Sequence, residues 1–445
     1  MRGRTWAFLA LITTSLGLLS PAASMQNTSN EELRNAVTLA FGKPQLNNFM
    51  LDPEYHNYNH GSFGTTAKYV LAAQQGYVRQ QEARPDVWFR STYKKLMQTT
   101  RDKLAKQAGL SSSDNLVLLE NASAAVNAIF RSLALNPGDI FIYLSSAYGM
   151  VKHTAAWLNV SEGIRILEVA ITVPVSSNES FLGPLRAALT ALTPEERARV
   201  KIATFSHISS VPAFIEPIKE LADLVKEICP DALVLVDGAH AIGQIKVDIP
   251  ALGNNVDYYL SNAHKWLYAP KGSAFLYSAT RNIDEVRPQP TVISSENDVF
   301  SGTDFQDRFV YTGTKDFTAY ISISDALDFG EILEEANGEG SIIAYTNGLA
   351  EWASAYLAEL WGTSLLSPTQ FQAALFNVML PTSDFDLATQ MQSDLLNDHG
   401  VYFLSLKDEA TGIVYTRLSA QIYLERDDFV KLGELVKDYL AAAKR

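Results

Sequence analysis

A series of short apolar runs, separated by segments with helical spacing, constrains the fold of this chain most strongly. Most residues of each run are apolar, without polar alternation, so a strand made from it must be covered on both faces. Interleaved helices supply that cover in proteins with a mostly parallel sheet, and ligands bind at the carboxyl ends of such strands. The sequence therefore predicts an α/β fold. The runs are Leu116–Leu119, Ile140–Leu144, Ile164–Ala170, Val200–Phe205, Leu233–Val236, Val256–Leu260 and Gly272–Tyr277.

The composition indicates a large core and argues against several functions. Of 445 residues, 47% are hydrophobic and 19% charged, as in folded globular proteins. The 36 Lys and Arg against 49 Asp and Glu give a net charge of −13, without any basic run. We expect no nucleic-acid partner, because phosphate binding needs a concentrated positive face. HExxH, GxSxG, Walker, EF-hand and GxGxxG patterns are all missing from the sequence, which argues against those classes.

Cysteine and histidine are not arranged for a metal site. Cys229 is the only cysteine, so neither an internal disulfide nor a thiolate metal site can form. His56 and His60 are four residues apart, but Pro53 and Gly61 argue against the helix that would align them. We therefore predict no metal.

The first 24 residues have the pattern of a cleavable signal peptide. Arg2 and Arg4 precede an apolar stretch that ends at Leu19, and small residues follow up to Ser24. Polar residues interrupt this stretch, and it is shorter than the ~20 residues that a span needs. We expect entry into the secretory pathway, followed by secretion or by delivery to an organelle lumen, and no stable membrane span after cleavage.

The remaining chain is predicted to contain three parts. Residues 25–54 form an N-terminal segment, residues 55–310 form a large domain with the apolar runs, and residues 311–445 form a smaller α+β domain.

Asp237 and Lys265 are the most informative pair. Asp237 ends a buried apolar run, where a carboxylate needs a cationic partner. Lys265 follows the next strand, so both side chains can meet at one edge of the sheet. A lysine with a lowered pKa forms Schiff bases, and an aspartate can hold a pyridinium nitrogen protonated. Considered separately, each residue has an ordinary structural explanation: Asp237 could simply cap a turn, and Lys265 could be a surface lysine.

Six segments together resemble the class V aminotransferase superfamily of fold-type I pyridoxal-phosphate enzymes, and most closely its branch of isopenicillin N epimerase-like proteins and hercynylcysteine sulfoxide lyase-like enzymes. The resemblance implies a mostly parallel seven-stranded sheet covered by helices, a smaller C-terminal domain and pyridoxal 5'-phosphate as the cofactor. The segments are 59–64 (NHGSFG), 121–123 (NAS), 237–240 (DGAH), 262–266 (NAHKW), 311–314 (YTGT) and 417–423 (RLSAQIY).

The same resemblance implies roles for single residues. Lys265 attaches the cofactor and moves the Cα proton, Asp237 pairs with the ring nitrogen, and His240 lies near the phenolic oxygen or the ring face. A strand-to-helix turn also presents free N–H groups to a phosphate, which suits Ala122 and Ser123. The other cofactor contacts are expected from Tyr148, which stacks on the ring, Asn262, His264 and, across a homodimer with shared active sites, Thr314.

Substrate contacts are expected from both ends of the matched region. A guanidinium is suited to clamp an α-carboxylate, and the resemblance gives Arg417 this role. The segment with Asn59 and His60 is expected to form an entrance loop over the substrate.

The cofactor alone leaves the reaction open. We favour β-elimination from a cysteine-derived conjugate or sulfoxide by a C–S lyase, with Lys265 as the base. Epimerisation of an amino acid and transamination stay open, and a secreted binding protein on a dead enzyme scaffold is a more distant alternative. A desulfurase needs a thiolate on a mobile loop, whereas Cys229 precedes Asp237 by eight residues and belongs at the opposite end of that strand.

Overall fold

The computed structural model describes residues 30–298 and 303–443. The signal peptide expected over residues 1–24 lies outside the described residues, so it stays a prediction. Within the described part, no helix is long and apolar enough to cross a membrane, and no group of three or more potential metal-binding side chains occurs.

A seven-stranded sheet forms the centre of the large domain. The strands of the described chain are β1 His56–Asn57, β2 Leu116–Leu119, β3 Ile140–Leu144, β4 Arg165–Val169, β5 Val200–Ser206, β6 Leu233–Asp237, β7 Tyr258–Asn262, β8 Ala274–Ser278, β9 Leu375–Met379, β10 Val401–Tyr402, β11 Leu404–Lys407 and β12 Val414–Ser419. In the large sheet the strand order is β2-β8-β7-β6-β5-β3-β4, and of the neighbouring pairs only those made by β8 are antiparallel. The predicted mostly parallel sheet with seven strands is therefore confirmed.

Helices cover both faces of this sheet, and the helices Ser341–Trp361 and Phe385–His399 pack against the smaller sheet. The helix Ile218–Ile228 shows why the helices form, because its apolar residues recur at helical spacing and face the core. The helices are α1 Asn30–Asn35, α2 His60–Phe63, α3 Lys68–Ala83, α4 Pro85–Val87, α5 Tyr93–Gln107, α6 Ala122–Phe130, α7 Gly149–Glu162, α8 Glu179–Thr190, α9 Pro194–Arg197, α10 Ile218–Ile228, α11 Ala263–Trp266, α12 Thr280–Glu285, α13 Phe305–Val310, α14 Thr318–Ile321, α15 Ile323–Asn337, α16 Ser341–Trp361, α17 Phe385–His399 and α18 Arg426–Ala443.

The C-terminal part has an antiparallel sheet of its own. Its order is β11-β12-β9, with β12 in the centre. The N-terminal side of the chain joins this part, because β1 pairs in parallel with β10 and His56 lies opposite Val401. The segment that follows β1 is thereby held between the two sheets.

The large sheet sets the place of the site. Apolar residues of β5, β6 and β7 are buried on both faces, and each fully buried aliphatic side chain contributes about 1.5–3 kcal/mol to stability. In the pairing register Asp237 is opposite Ser206 on one side and Leu260 on the other. The polar residues at the carboxyl ends of β5, β6 and β7 therefore meet at one edge.

Candidate active site

Lys265 lies in α11, the short helix that follows β7. Its Nζ is 2.9 Å from Nε2 of His240. Burial lowers the pKa of Lys265 to about 8; nearby Asp237 opposes this shift and Arg417 adds to it. About a tenth of this amine is therefore uncharged at pH 7, the state in which it is a nucleophile and a base.

Asp237 is the last residue of β6 and is only 4% exposed. Its Oδ1 accepts a hydrogen bond of 2.9 Å from the main-chain N–H of Ala239. Burial raises the pKa of the carboxyl group, whereas that N–H and Lys265 lower it. Such a group is stabilised as an anion by a further cation in the cavity.

His240 stands beside Lys265 and is buried. Its Nδ1 accepts a long hydrogen bond, of 3.5 Å, from the indole N–H of Trp266, which leaves the proton of the neutral ring on Nε2. Burial, with Lys265 adding to its effect, lowers the pKa of His240 well below the ordinary value. His240 is therefore neutral, and its Nε2–H can donate to the uncharged amine of Lys265.

The helix α6 begins at the same edge of the sheet. Asn121 caps it, since its Oδ1 accepts from the N–H of Ala124 at 2.9 Å. The N–H of Ala122 donates to Oδ1 of Asn262, also at 2.9 Å. Ser123 lines the cavity, and its N–H and hydroxyl have no partner among the described residues, which leaves an anion site at the helix N-terminus.

His264 and Tyr148 line the cavity from other sides. His264 Nδ1 donates to the main-chain oxygen of Ser273 at 3.0 Å, and burial lowers the pKa of this histidine to about 4. Its Nε2 can donate to a phosphate only when the ring is protonated, which the anion itself would favour. Tyr148 precedes α7 and is 52% exposed at the mouth of the cavity.

Arg417, on the central strand of the small sheet, is a buried cation with neutral partners. Its Nη1 donates to the main-chain oxygen and the hydroxyl of Ser210, and its Nη2 donates to Oδ1 of Asn59 and the hydroxyl of Ser62. Its Nε has no partner among the described residues. Burial lowers the pKa of Arg417 to about 10, so it stays charged. Arg417 is not itself among the residues that line the cavity, but its partners Ser62 and Ser210 are. A carboxylate that reached it beside them would supply the missing counter-charge.

Asn59 and His60, expected in an entrance loop over the substrate, lie next to the cavity and not in its lining. Both are buried, and neither is among the residues that line the cavity. Asn59 holds Arg417 from behind at 2.7 Å. His60 lies behind the lysine, with Nε2 2.5 Å from the main-chain oxygen of Lys265. Their neighbours Ser62 and Phe63 reach the cavity instead.

The cavity has a volume of about 190 Å³ and contains most of the predicted cofactor residues. Sequence reasoning missed the loop after β5, whose Ser210 contacts Arg417, because its small polar residues resemble any surface turn. Thr314 lies apart from the cavity, exposed, with its hydroxyl 2.6 Å from that of Tyr311. The lining residues are Ser62, Phe63, Asn121, Ala122, Ser123, Tyr148, Ser206, Ile208, Ser210, Asp237, Ala239, His240, Asn262, His264 and Lys265.

Cys229 is not among the residues that line this cavity. It is buried directly after α10 and precedes β6, at the opposite end of that strand from Asp237. Burial raises the pKa of its thiol. The only cysteine of the chain is therefore not placed to take sulfur from a substrate.

The residues present fit pyridoxal phosphate. A buried carboxylate without a cationic hydrogen-bond partner matches a protonated ring nitrogen, and the free N–H of Ser123 at the start of α6 matches a phosphate. A lysine of lowered pKa lines the same cavity as these two groups.

Comparison with known proteins agrees with this geometry. The family model described as aminotransferase class V matches residues 58–402. An L-cysteine desulfhydrase of Arabidopsis thaliana is 28% identical over 86% of this chain and 88% of its own length. The hercynylcysteine sulfoxide lyase of Schizosaccharomyces pombe is 25% identical over 90% of this chain and 98% of its own length. An isopenicillin N epimerase of Streptomyces clavuligerus is 28% identical over 72% of this chain and 79% of its own length.

Among solved structures, a complex of the cystine C–S lyase C-DES with cysteine persulfide is similar in fold. Its TM-score is 0.70 at 17% identity, and the match covers 89% of this chain and 99% of that one.

Proposed function

Because this chain belongs to the class V aminotransferase family, whose members depend on pyridoxal phosphate, we propose that it is a C–S lyase acting on L-cysteine or a cysteine derivative. The similarity to an L-cysteine desulfhydrase and to a hercynylcysteine sulfoxide lyase supports this choice. The observation that carries it is a lysine of lowered pKa in a cavity whose described lining contains no thiol.

Five residues would hold the cofactor. Lys265 would attach it, Asp237 would pair with its ring nitrogen, and Ser123, Asn262 and His264 would bind its phosphate. Tyr148 at the cavity mouth would cover the ring. When bound, the cofactor supplies an electron sink for the negative charge that develops at Cα.

Arg417 would orient the substrate. Its guanidinium is already held in place by Asn59, Ser62 and Ser210, so little side-chain freedom is lost when a carboxylate binds. With the carboxylate fixed there, the Cα–H bond of an amino acid can face the amine of Lys265.

Lys265 would then move the proton. Its amine removes the proton from Cα, the Cβ–S bond breaks, and both electrons of that bond leave with sulfur. The three-carbon enamine that remains reacts with water to give pyruvate and ammonia. For L-cysteine the balance is cysteine plus water to pyruvate, ammonia and hydrogen sulfide.

The decisive experiment follows all products at once. Purified protein with pyridoxal phosphate is incubated in deuterium oxide with L-cysteine, S-substituted cysteines and their sulfoxides. Pyruvate, ammonia and the sulfur product are measured; that product is sulfide from L-cysteine, a thiol from the S-substituted cysteines and a sulfenic acid from the sulfoxides. Stoichiometric release of the three products supports the lyase. Deuterium at Cα without pyruvate would instead favour an epimerase, and a keto acid that retains sulfur would favour a transaminase.

Two variants distinguish an active enzyme from a binding protein on an inactive scaffold. Borohydride reduction followed by peptide mapping should label Lys265, and Lys265→Ala should abolish product formation. Lys246→Ala changes an exposed lysine and should leave the label at Lys265 and product formation unchanged. Absence of a label at Lys265 in wild-type protein would favour the secreted binding protein.

We also propose a homodimer with shared sites. Two exposed residues support this proposal, because both are free to contact a second copy: Thr314, which lies apart from the cavity, and Phe63, which is 74% exposed at its edge. Light scattering on purified protein should give twice the chain mass, and a monomer at working concentration would contradict this.

Routing through the secretory pathway is a separate proposal, supported by the pattern of residues 1–24. Expression of the full chain in eukaryotic cells should give a product that begins near residue 25 in the medium or in an organelle lumen. An intact N-terminus in the cytosol would contradict it.

A further inference from the structure

The segment of residues 59–64 contacts both Arg417 and the helix that carries Lys265. Asn59 and Ser62 bond to Arg417, as described above. At Gly64, φ is +68°, and an added Cβ would lie 1.8 Å from the main-chain oxygen of His264. The backbone of this segment therefore lies directly against α11.

His60 is the member of this segment that reaches Lys265. The helix α11 has only four residues. The N–H of Leu267 donates to the carbonyl oxygen of Ala263, whereas the carbonyl oxygen of Lys265, near the end of the helix, needs a partner from another segment. The hydrogen bond from His60 Nε2, at 2.5 Å, satisfies the carbonyl oxygen of Lys265 itself.

The contacts of His60 define its tautomer. A carbonyl can only accept, so Nε2 carries the proton and Nδ1 accepts from the hydroxyl of Tyr423 at 2.9 Å. Burial lowers the pKa of His60 to about 3, so the ring stays neutral. It also packs against three aromatic rings, of Trp266, Tyr268 and Tyr423, with centroids 5.4 to 5.9 Å away.

Tyr423 connects this arrangement to the substrate clamp. It follows β12, the strand that carries Arg417, by four residues, and it is buried. Two consecutive hydrogen bonds, from Tyr423 to His60 and from His60 to Lys265, thus join the small sheet to the main chain of the lysine.

We propose that His60 is a positioning residue, which holds the main chain of Lys265 and, with Tyr423, sets its position relative to the strand of Arg417. This inference rests on the proposed function, since it takes Lys265 to be the attachment residue. It differs from the role implied by the resemblance, in which His60 contacts the substrate.

Steady-state kinetics of His60→Leu, His60→Gln and Tyr423→Phe test the proposal. For His60→Leu we expect kcat to fall about 10- to 100-fold, because a displacement of about 1 Å costs this much. KM for L-cysteine should change less than about threefold, because Arg417 is untouched. His60→Gln, whose amide can donate to the same carbonyl, should recover most of kcat.

Tyr58→Phe is the matched control for Tyr423→Phe. The hydroxyl of Tyr58 is also buried and donates to the main-chain oxygen of Asp428 at 2.7 Å, but it has no contact with Lys265. Tyr423→Phe should lower kcat about 3- to 10-fold, the cost of one hydrogen bond, and Tyr58→Phe should leave it unchanged.

A second measurement does not depend on turnover. Cofactor-free protein is mixed with pyridoxal phosphate, and the rate at which the visible absorbance band appears reports how Lys265 is presented. This rate should be lower in His60→Leu and Tyr423→Phe than in wild type. If wild type loads at Lys265 but releases no sulfide, the proposed function fails, while the loading rates still test His60.

Three outcomes would overturn the inference. A raised KM with unchanged kcat and loading rate would make His60 a substrate contact. If His60→Leu folds and its kcat and cofactor-loading rate are unchanged, His60 does not position Lys265. If His60→Leu does not fold, normal kcat and loading in Tyr423→Phe would decide against it.

Discussion

Nζ of Lys265 lies 2.9 Å from Nε2 of His240, and both side chains adjoin the buried carboxylate of Asp237 at one edge of the large sheet. A neutral imidazole beside the amine adds no positive charge, and its Nε2–H can donate to the lone pair of the uncharged lysine. The pair thus favours the form of Lys265 that can attach a carbonyl carbon or remove a proton.

The reactivity of Lys265 should titrate near neutral pH. With a pKa of about 8 instead of 10.5, about a tenth of the amine is uncharged at pH 7, far more than in an ordinary lysine. Reductive methylation of cofactor-free protein, followed by peptide mass spectrometry across pH 6–11, should give a midpoint near 8 for Lys265. A midpoint of Lys265 near the ordinary lysine value of 10.5 would contradict the prediction.

Arg417→Lys should weaken substrate binding while preserving the charge. A lysine cannot make the paired hydrogen bonds of a guanidinium, and losing one charge-assisted bond costs about 1.5–3 kcal/mol. We expect KM for L-cysteine to rise at least about tenfold, measured with sulfide release. Arg165→Lys alters a surface ion pair with Glu196 and should leave KM unchanged; equal KM values in both variants would argue against the clamp.

Glu216 should make stability depend on pH. It is 2% exposed, and its carboxyl oxygens bond to the hydroxyl of Ser146 and the N–H of Ser206, the residue paired with Asp237. Burial raises the pKa of Glu216 from 4.5 to about 8, and Asp237 adds to this. The folded state therefore binds a proton that the unfolded state releases between these pH values.

Stability from Glu216 is present below pH 4.5 and is lost as pH rises towards 8. The free energy of unfolding should fall by on the order of 1 kcal/mol per pH unit in this window, and Glu216→Gln should remove that slope. Urea unfolding of cofactor-free protein at pH 5 to 8 measures it, with Glu179→Gln, a change at an exposed carboxylate, as the control. Parallel profiles of wild type and Glu216→Gln would refute the prediction.

Gly64→Ala should disturb the lysine-bearing helix and not merely strain the backbone. Gly64 and Gly253 occupy the same backbone region, with φ of +68° and +92° and ψ of 178° and 170°, but an added Cβ meets the oxygen of His264 only at Gly64, and nothing within 4 Å at Gly253. Gly253→Ala should cost about 1–3 kcal/mol from strain alone, and Gly64→Ala considerably more, with slower cofactor loading. Thermal unfolding and the loading rate compare the two, and equal losses would contradict the proposed contact.

The amino-acid sequence alone predicted the large sheet and which polar residues meet at its edge. Apolar runs without alternation predicted the strands, and residues that directly follow parallel strands must meet at the same edge. Asp237, His240 and Lys265 are therefore found together as expected, and the position of Cys229 before β6 follows from strand length alone. The limits of the predicted domains and the roles of the site residues stay predictions.

The helix α16, of 21 residues, was not predicted. Contacts between distant parts of the chain were not predictable either. His60 lies behind Lys265, although 205 residues separate them, and Asn59 holds Arg417 across 358 residues. The contact of Glu216 with Ser146 and the contact of Ser210 with Arg417 also depend on how separate loops pack. Local spacing determines which face a residue occupies on its own strand or helix, whereas only close packing of the whole chain decides which distant group completes its hydrogen bonds.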